Sequence, residues 1–385
     1  MIPIKYTYRN LFERRGVAFM TLASIGFVVL VYIGVLALAG GLRAAFADTG
    51  DASVVIVMRD GTRAEMESSY AQESHRLLTA MPGVERTAEG AVMASGETVT
   101  IQIFKRVDGT ETNVMVRGVE PGAFAIRPGF EITEGRVFEP GRGEIIVGRS
   151  LAGRLGLRVG DERKMGRNTF RVVGTFAGVG AHGSEIWGDY RDLGDSFRRS
   201  GYYSSTRLQA ASPAAARDLI ETVKADQRLQ VQALTEPEYY ELQSETSSGQ
   251  FIILGNVLAV LMAIGACFAA ANTMYAQVAA RAREIGTLRA LGFKRRSIMG
   301  SFFLEAVLLG VVAGGFGALL SLPLNAIQTG TMNQVTFSEI TFQLRTTPFA
   351  LFSGVFLATV TGVLGGLLPA FGASRQKITD LLREA

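Results

Sequence analysis

Cysteine is almost absent from this chain: Cys267 is the only one in 385 residues. No intrachain disulfide can form, so any exported part must fold without covalent staples. Histidine is nearly as scarce, with His75 and His182 far apart in sequence. One cysteine and two distant histidines offer neither a zinc cluster nor a cysteine–histidine nucleophile pair. The G-x-S-x-G elbow of serine hydrolases does not occur. Nor does the phosphate loop G-x-x-x-x-G-K-[ST], so the chain does not read as an ATPase of the usual P-loop kind. Charge is thin as well, at 19% of residues against about 25% in soluble domains. The net charge of +4 gives no reason to expect a nucleic-acid partner.

Apolar residues are what the chain has in quantity. Four runs, Val17–Leu42, Phe251–Tyr275, Ile298–Leu324 and Phe349–Ala373, each reach the roughly 20 residues that a helix needs to cross a bilayer. They predict transmembrane helices at 17–42 and about 251–277, 298–326 and 347–373. The triplet Ala37–Ala39 mimics a signal-peptide cleavage site. The first run is nevertheless far longer than the ~7–15 apolar residues of a signal peptide, so it reads as an uncleaved anchor. Basic residues set the orientation. Lys5, Arg9, Arg14 and Arg15 precede the first run, six bases fill Arg281–Arg296, and Arg375, Lys377 and Arg383 follow the last run. Only Arg345 lies between the third and fourth. Both termini are therefore expected in the cytoplasm and residues 43–250 outside it.

Within the runs, small residues point to close helix packing. Gly310 and Gly314 are spaced for it on the third, and Gly362, Gly365 and Gly366 on the fourth. Contacts inside one chain and between two copies both fit. Glu305 stands seven residues into the third run, ~10 Å at 1.5 Å per residue. A carboxylate there needs a partner, either as a hydrogen-bonded structural group near the interface or as a proton or substrate site. Asn272 and Cys267 read as packing residues.

The charged stretch RAREIGTLRALGFKRRSI, Arg281–Ile298, is more than a topology signal. Ile285, Leu288 and Leu291 form one apolar stripe at helical spacing, with Arg281, Arg283, Glu284 and Arg289 largely off it. Gly292 stands where a left-handed helix end is cheap. A short amphipathic helix results, lying on anionic lipid or docking a cytoplasmic partner. Ile4, Tyr8, Leu11 and Phe12 mark another amphipathic helix at residues 1–16, and Ile378, Leu381 and Leu382 a terminal cap.

The segment 43–250 alternates strand and helix signals. Ser53–Asp60, Ala91–Met93, Thr98–Phe104 and Asn113–Val116 read as strands, with a helix from Glu65 to Thr79 between the first two. STRLQA and LQVQAL read as strands on either side of a Ser-capped helix, SPAAARDLIETVKAD. Glycines and short strand signals over about 117–203 suggest a β-rich insertion in an α+β domain. Gly178–Gly183 spells G-x-G-x-x-G, but no helix pattern follows it as a dinucleotide site requires. Trp187 fits a partner surface or a core equally.

REIGTLRALGFKRRSI resembles the loop signature of permeases in the macrolide-exporter and lipoprotein-release branch of ABC transporters, the FtsX-like and MacB-like family. GEIIVGRSLAGRLGLRVGD, FRVVGTF and the terminal LPAFGASRQKITDLLREA are similar to further segments of that family, and so is the order of one span, a large external domain and three more spans. The resemblance implies a four-helix membrane protein with an extracytoplasmic α+β domain of two mixed parts and a β-rich insertion. The segment 251–385 would be the permease domain. The charged loop would hold a coupling helix docked on an ATPase, through Arg281, Arg283, Glu284, Ile285, Gly286, Leu288, Arg289, Leu291 and Gly292. The chain would be a transport subunit in the inner membrane, not an enzyme. It would bind no cofactor or metal itself, ATP and Mg being used by a separate ABC ATPase. A homodimer or a pairing with a related permease is implied, with a periplasmic adaptor as a further candidate partner. Export or extraction is the main reading. Transmembrane signalling to a cell-wall hydrolase, as in the cell-division members, is the alternative.

Overall fold

The computed structural model describes residues 15–47, 49–127, 129–178, 180–333 and 335–375. The segment expected as an amphipathic helix at residues 1–16 lies outside these but for its last two residues, and the cap at Ile378–Leu382 lies wholly outside. In chain order the helices are α1 (Arg15–Ala47), α2 (Gln72–Thr79), α3 (Arg149–Leu155), α4 (Tyr190–Ser196), α5 (Pro213–Ala225), α6 (Glu236–Ala280), α7 (Ala282–Ala290), α8 (Arg295–Ser321) and α9 (Pro348–Arg375). The strands are β1 (Val54–Arg59), β2 (Tyr70–Ala71), β3 (Ala94–Lys105), β4 (Glu111–Val119), β5 (Glu131–Gly135), β6 (Glu144–Gly148), β7 (Glu162–Met165), β8 (Asn168–Ala177), β9 (Glu185–Asp189), β10 (Tyr202–Tyr203), β11 (Ser205–Gln209), β12 (Val231–Thr235), β13 (Gln328–Met332) and β14 (Glu339–Gln343). Two units emerge: a helical one of the described residues up to Gly40, Gln250–Ile327 and those from Leu344 on, and a mixed one of Gly41–Gly249 with Gln328–Gln343.

In the helical unit, α1, α6, α8 and α9 are long and apolar enough to cross a membrane. α6 has 45 residues, about 68 Å at 1.5 Å per residue, of which the first 15 are mostly polar and the remainder mostly apolar. Glycine sets the approach of α8 to α9. A Cβ on Gly310 would stand 2.7 Å from Thr359 Cα, and one on Gly314 2.9 Å from Val355 Cα. Gly362 and Gly366 face Ala306 in the same way. These glycines are therefore spent on packing within one chain. Ile25, Val29 and Ile33 of α1 join Ala266, Ala313 and Ala358 in the core.

The mixed unit is built on one ten-stranded sheet of order β12-β1-β11-β3-β4-β9-β6-β8-β5, with β7 paired to β8. Its central strands read as continuous apolar runs because both faces are covered. In β6, Ile145 and Val147 enter one core with Val114, Leu151 and Ile186. Ile146 points the other way, to Phe176 and Trp187. A third core lies where α2 and α5 cover β1, β11 and β12, through Leu78, Leu219, Val55 and Leu208. α5 starts as its sequence dictates: the Ser212 hydroxyl accepts from Ala215 N at 3.2 Å, with Pro213 in the first turn.

Two expectations need correction. The helix begins at Gln72, not Glu65, because Glu65 is buried among charges in a turn and Tyr70–Ala71 pairs with β10. Ala91–Met93 forms no strand and contributes only an isolated bridge, Arg86 to Val92. The stretch expected as a β-rich insertion carries β5 to β9, and because β4 pairs antiparallel with β3 and parallel with β9 it continues the same sheet. A further departure is the segment between α8 and α9. It forms the hairpin β13–β14, which belongs to the mixed unit. Ile340 and Phe342 are buried there, Glu339 pairs with Arg106 and Arg154 and accepts from Thr112, and Asn333 Nδ2 donates to Gln243 Oε1 at 2.8 Å.

Candidate coupling site

α7 is nine residues long, too short to persist alone in water, and its ends show what holds it. Glu284 in the first turn and Arg289 in the last complement the helix dipole. At the far end, Gly292 N donates to Arg289 O at 3.1 Å and Phe293 N to Leu288 O at 3.1 Å. Gly292 takes φ +91°, which completes a Schellman stop that a β-branched residue could not adopt. The glycine thus fixes where the helix ends and where the chain turns into α8.

Sequence periodicity puts Ile285, Leu288 and Leu291 on one apolar stripe, for anionic lipid or for a partner. The structure divides them. Ile285 is buried among Met274, Val278, Ile298, Phe302 and Ala370 of its own unit. Gly286 is buried too, Leu288 is half-buried, and Leu291 is 73% exposed. The outward face consists of Arg283, Thr287, Ala290 and Leu291, followed by exposed Phe293 and Lys294–Arg296. Thr287 and Phe293 belong to this exposed face, although periodicity singles out neither. A stripe on a loop helix anchors it to its own protein first.

Arg281 is likewise turned inward. Its Nε lies 3.1 Å from Glu284 Oε2 and its Nη1 3.2 Å from Glu305 Oε2, with the guanidinium over the Phe302 ring at 5.4 Å. Glu305 is only 4% exposed, so this pair supplies the partner its position demands. One arginine at the start of α7 thereby joins the loop helix to α8. Arg289 is half-buried. Partial burial pushes the Glu284 carboxyl above its ordinary range. Cys267 packs as expected, its Sγ donating to Thr361 O at 3.4 Å. Asn272 does not: it lies exposed on α6.

The mixed unit carries a second constellation, absent from the sequence reading. Arg117 on β4 bonds Glu185 at 2.7 Å and Glu65 and Glu97 at 2.8 Å each. Arg207 on β11 bonds Glu65 at 2.8 Å, Glu236 at 2.7 Å, and Glu97. Arg127 adds a contact to Glu97 at 2.5 Å. Arg117 and Arg207 are 1% and 0% exposed. Burial alone would raise the Glu65, Glu97 and Glu185 carboxyls, yet the facing guanidinia hold all three below the usual range. His182 lies 3.4 Å from Glu185 and 3.3 Å from the Tyr240 hydroxyl, and burial lowers its pKa. Trp187 is a core residue, 1% exposed, with Nε1 donating to Glu185 at 2.6 Å and Phe130 stacked on it at 5.5 Å. The G-x-G-x-x-G segment leads into a single 3-10 turn, Gly180–Ser184, and then β9, where a nucleotide site would need a helix. The only sequence trace of the network was a charge inside an apolar strand, as in VMVRGV. Among the described residues no group of three or more His, Cys, Asp or Glu is placed to hold a metal.

Comparison with known proteins bears on both units. The MacB-like periplasmic core domain family matches residues 18–226, and the FtsX-like permease C-terminal family matches residues 256–378. The pyoverdine export ATP-binding/permease protein PvdT of Pseudomonas fluorescens (strain Pf0-1) is 30% identical over 229 residues, 56% of this chain and 33% of that protein. The macrolide export ATP-binding/permease protein MacB of Bordetella avium (strain 197N) is 31% identical over 141 residues, 36% of this chain and 21% of that one. The match thus spans a third or less of the length of these relatives. The crystal structure of the periplasmic region of MacB from Actinobacillus actinomycetemcomitans aligns with 49% of this chain and 91% of its own, at 11% identity and a TM-score of 0.38.

Proposed function

Because the chain belongs to the family that joins a MacB-like periplasmic core domain to an FtsX-like permease domain, we propose that it is the permease subunit of an ATP-driven export system. It is a membrane protein with an extracytoplasmic segment, and the finer assignments that follow are part of the proposal. A separate ABC ATPase docks from the cytoplasm on the outward face of α7, the termini lie on that same side of the inner membrane, and ATP and Mg belong to the partner. Two copies of the chain, or one with a related permease, assemble with two ATPase subunits, and an adaptor protein outside the membrane completes the route. When the ATPases close on ATP, their surface grooves shift and carry α7. Since Arg281 grips Glu305 and Ile285 is packed against Phe302, α7 and α8 move together rather than sliding. The work reaches the extracytoplasmic domain, which exports or extracts the substrate. Relatives named for pyoverdine and macrolide export support export as the direction.

The observation that carries this reading is a loop helix stopped by Gly292 and pinned by Arg281, with Arg283, Thr287 and Leu291 left facing outward. The test replaces Arg283→Glu and Leu291→Asp together in the full chain, expressed with its cognate ATPase. ATPase recovered on the purified chain should fall by about tenfold, a binding loss of about 1.4 kcal/mol, at an unchanged membrane level of the chain. Undiminished recovery, or a parallel loss of the chain itself, would remove α7 as the docking element.

A further inference from the structure

A cavity in the mixed unit takes no part in the coupling just proposed. It opens beside α4 and the turn after it, with a volume of about 190 Å3. Tyr190, Tyr202 and Tyr203 provide its aromatic walls, Arg191 and Arg199 its cations, and Asp195 a single carboxylate. Elsewhere in this unit the buried or half-buried guanidinia of Arg106, Arg117, Arg127, Arg154 and Arg207 are matched to carboxylates. Here, among the described residues, neither the exposed Arg191 nor the half-buried Arg199 makes an ion pair. Arg191 Nε donates to the Tyr190 hydroxyl at 2.9 Å, and its guanidinium lies over that ring at 5.2 Å. Arg199 Nη1 donates to Val99 O at 3.0 Å. Asp195 accepts from the Ser200 hydroxyl rather than from either cation. The cavity thus holds two positive charges against one negative.

Its frame is firm. Tyr190 stacks on Tyr203 at 5.5 Å, and Tyr203, 2% exposed, donates its hydroxyl to Glu120 at 2.6 Å. Tyr202 by contrast is 55% exposed. The turn between the two arginines' supports is held in an uncommon shape. Arg198 has φ 58°, one of two positive values at a non-glycine residue among those described, and Gly201 has φ 79°. These values mark the stop of α4, where Arg199 N donates to Gly194 O at 2.7 Å and Arg198 N to Asp195 O at 3.4 Å.

We propose that this cavity binds a small ring-bearing carboxylate. The acid lies between the guanidinia of Arg191 and Arg199, which suit a planar carboxylate, and the ring rests against the exposed Tyr202. The volume is below the roughly 300–1,000 Å3 of sites for drug-sized molecules, so it accommodates one ring with its acid, either as a free molecule or as the terminal group of a longer one. This site and the coupling helix share no residue and belong to different units, so its failure leaves ATPase docking intact and the reverse also holds.

The full chain in lipid nanodiscs serves for the test, with 4-hydroxyphenylacetate as the probe at constant ionic strength in equilibrium dialysis. Saturable binding is expected, with 4-hydroxyphenylacetamide and acetate each weaker by about tenfold, one factor of ten per 1.4 kcal/mol. Arg191→Gln and Tyr202→Ala should each weaken the probe several-fold without moving the thermal unfolding midpoint. A peptide ending in tyrosine presents the same ring and acid on a chain. Tighter binding of the peptide than of the probe identifies a chain terminus as the source, and weaker binding identifies a free acid. The proposal is overturned by an absence of saturation, by acetate or the amide binding as well as the acid, or by Arg191→Gln binding as the parent does.

Discussion

Replacing Arg281 with glutamine removes the cation that Glu305 contacts at 3.2 Å. Glu305 is 4% exposed and Arg281 18%. Leaving a buried carboxylate without its cation costs about 3–5 kcal/mol in a dry interior. The arginine's partial exposure lets water reach the site, which brings the expected loss down to about 2–3 kcal/mol. Glu305→Gln leaves Arg281 still paired with Glu284 at 3.1 Å, so about 1–2 kcal/mol is expected there. The double variant keeps neither orphaned charge. It should be more stable than the sum of the single losses by about 1.5 kcal/mol or more, well above the ~0.5 kcal/mol at which unconnected sites add. Titration of the purified chain from mild detergent into SDS, followed by circular dichroism, gives the three stabilities. Function is read in parallel, as substrate-stimulated ATP hydrolysis by the assembled complex. Both single variants should retain the ATPase yet lose stimulation, and the double variant should recover stability without recovering stimulation. A coupling below about 0.5 kcal/mol would refute the ion pair as the fastening between α7 and α8.

Acidity should act on the mixed unit in two stages. Trp187, the chain's single tryptophan and a buried one, makes intrinsic fluorescence a reporter of that unit. Burial depresses the folded pKa of His182, so stability is full above the unfolded value near 6.5 and declines as pH falls below it. Glu65, Glu97 and Glu185 are held low by their arginines, so their contribution persists above an unfolded value near 4.3 and drains as pH falls further. The unfolding midpoint should therefore be level near neutrality, dip below about pH 6.5 and drop steeply below about pH 4, and His182→Gln should abolish the shallow limb alone. On α8, Gly310→Val would drive a side chain into Thr359 Cα and Ala358 O, which a Cβ already approaches to 2.7 and 2.9 Å. A loss of about 1–3 kcal/mol in the same SDS titration is expected, and an unchanged midpoint would contradict the close α8–α9 approach.

Sequence was most informative where physics is local. The apolar runs became α1, α6, α8 and α9 because length and composition alone decide membrane compatibility. The Ser212 cap and the Gly292 stop were readable for the same reason: each acts on its own turn. Direction was harder. The stripe through Ile285 is real, but periodicity says only that a face is apolar, and the neighbouring α6 and α8 claim it before any partner can. Long-range charge was the hardest. Glu65, Glu97, Arg117, Glu185, Arg207 and Glu236 span 172 positions in sequence, and only the strand order β11-β3-β4-β9 brings most of them together. Glu65 even disguised itself as the start of a helix, because its pattern fits one while its carboxylate serves Arg117 and Arg207. Asn272 was misplaced for a related reason, since polarity within a span does not say which side of the helix is covered.

The hairpin β13–β14 bears on how this protein can be cut. A truncation that removes 43–250 as one block leaves Gln328–Gln343 behind, with Ile340 and Phe342 stripped of cover and Glu339 deprived of Arg106 and Arg154. The remnant would display a sticky two-stranded stub between its last two spans. Loss of activity in such a deletion would then report clumping rather than the missing domain. A clean excision has to take both pieces, replacing the hairpin by a short polar link between Ile327 and Leu344.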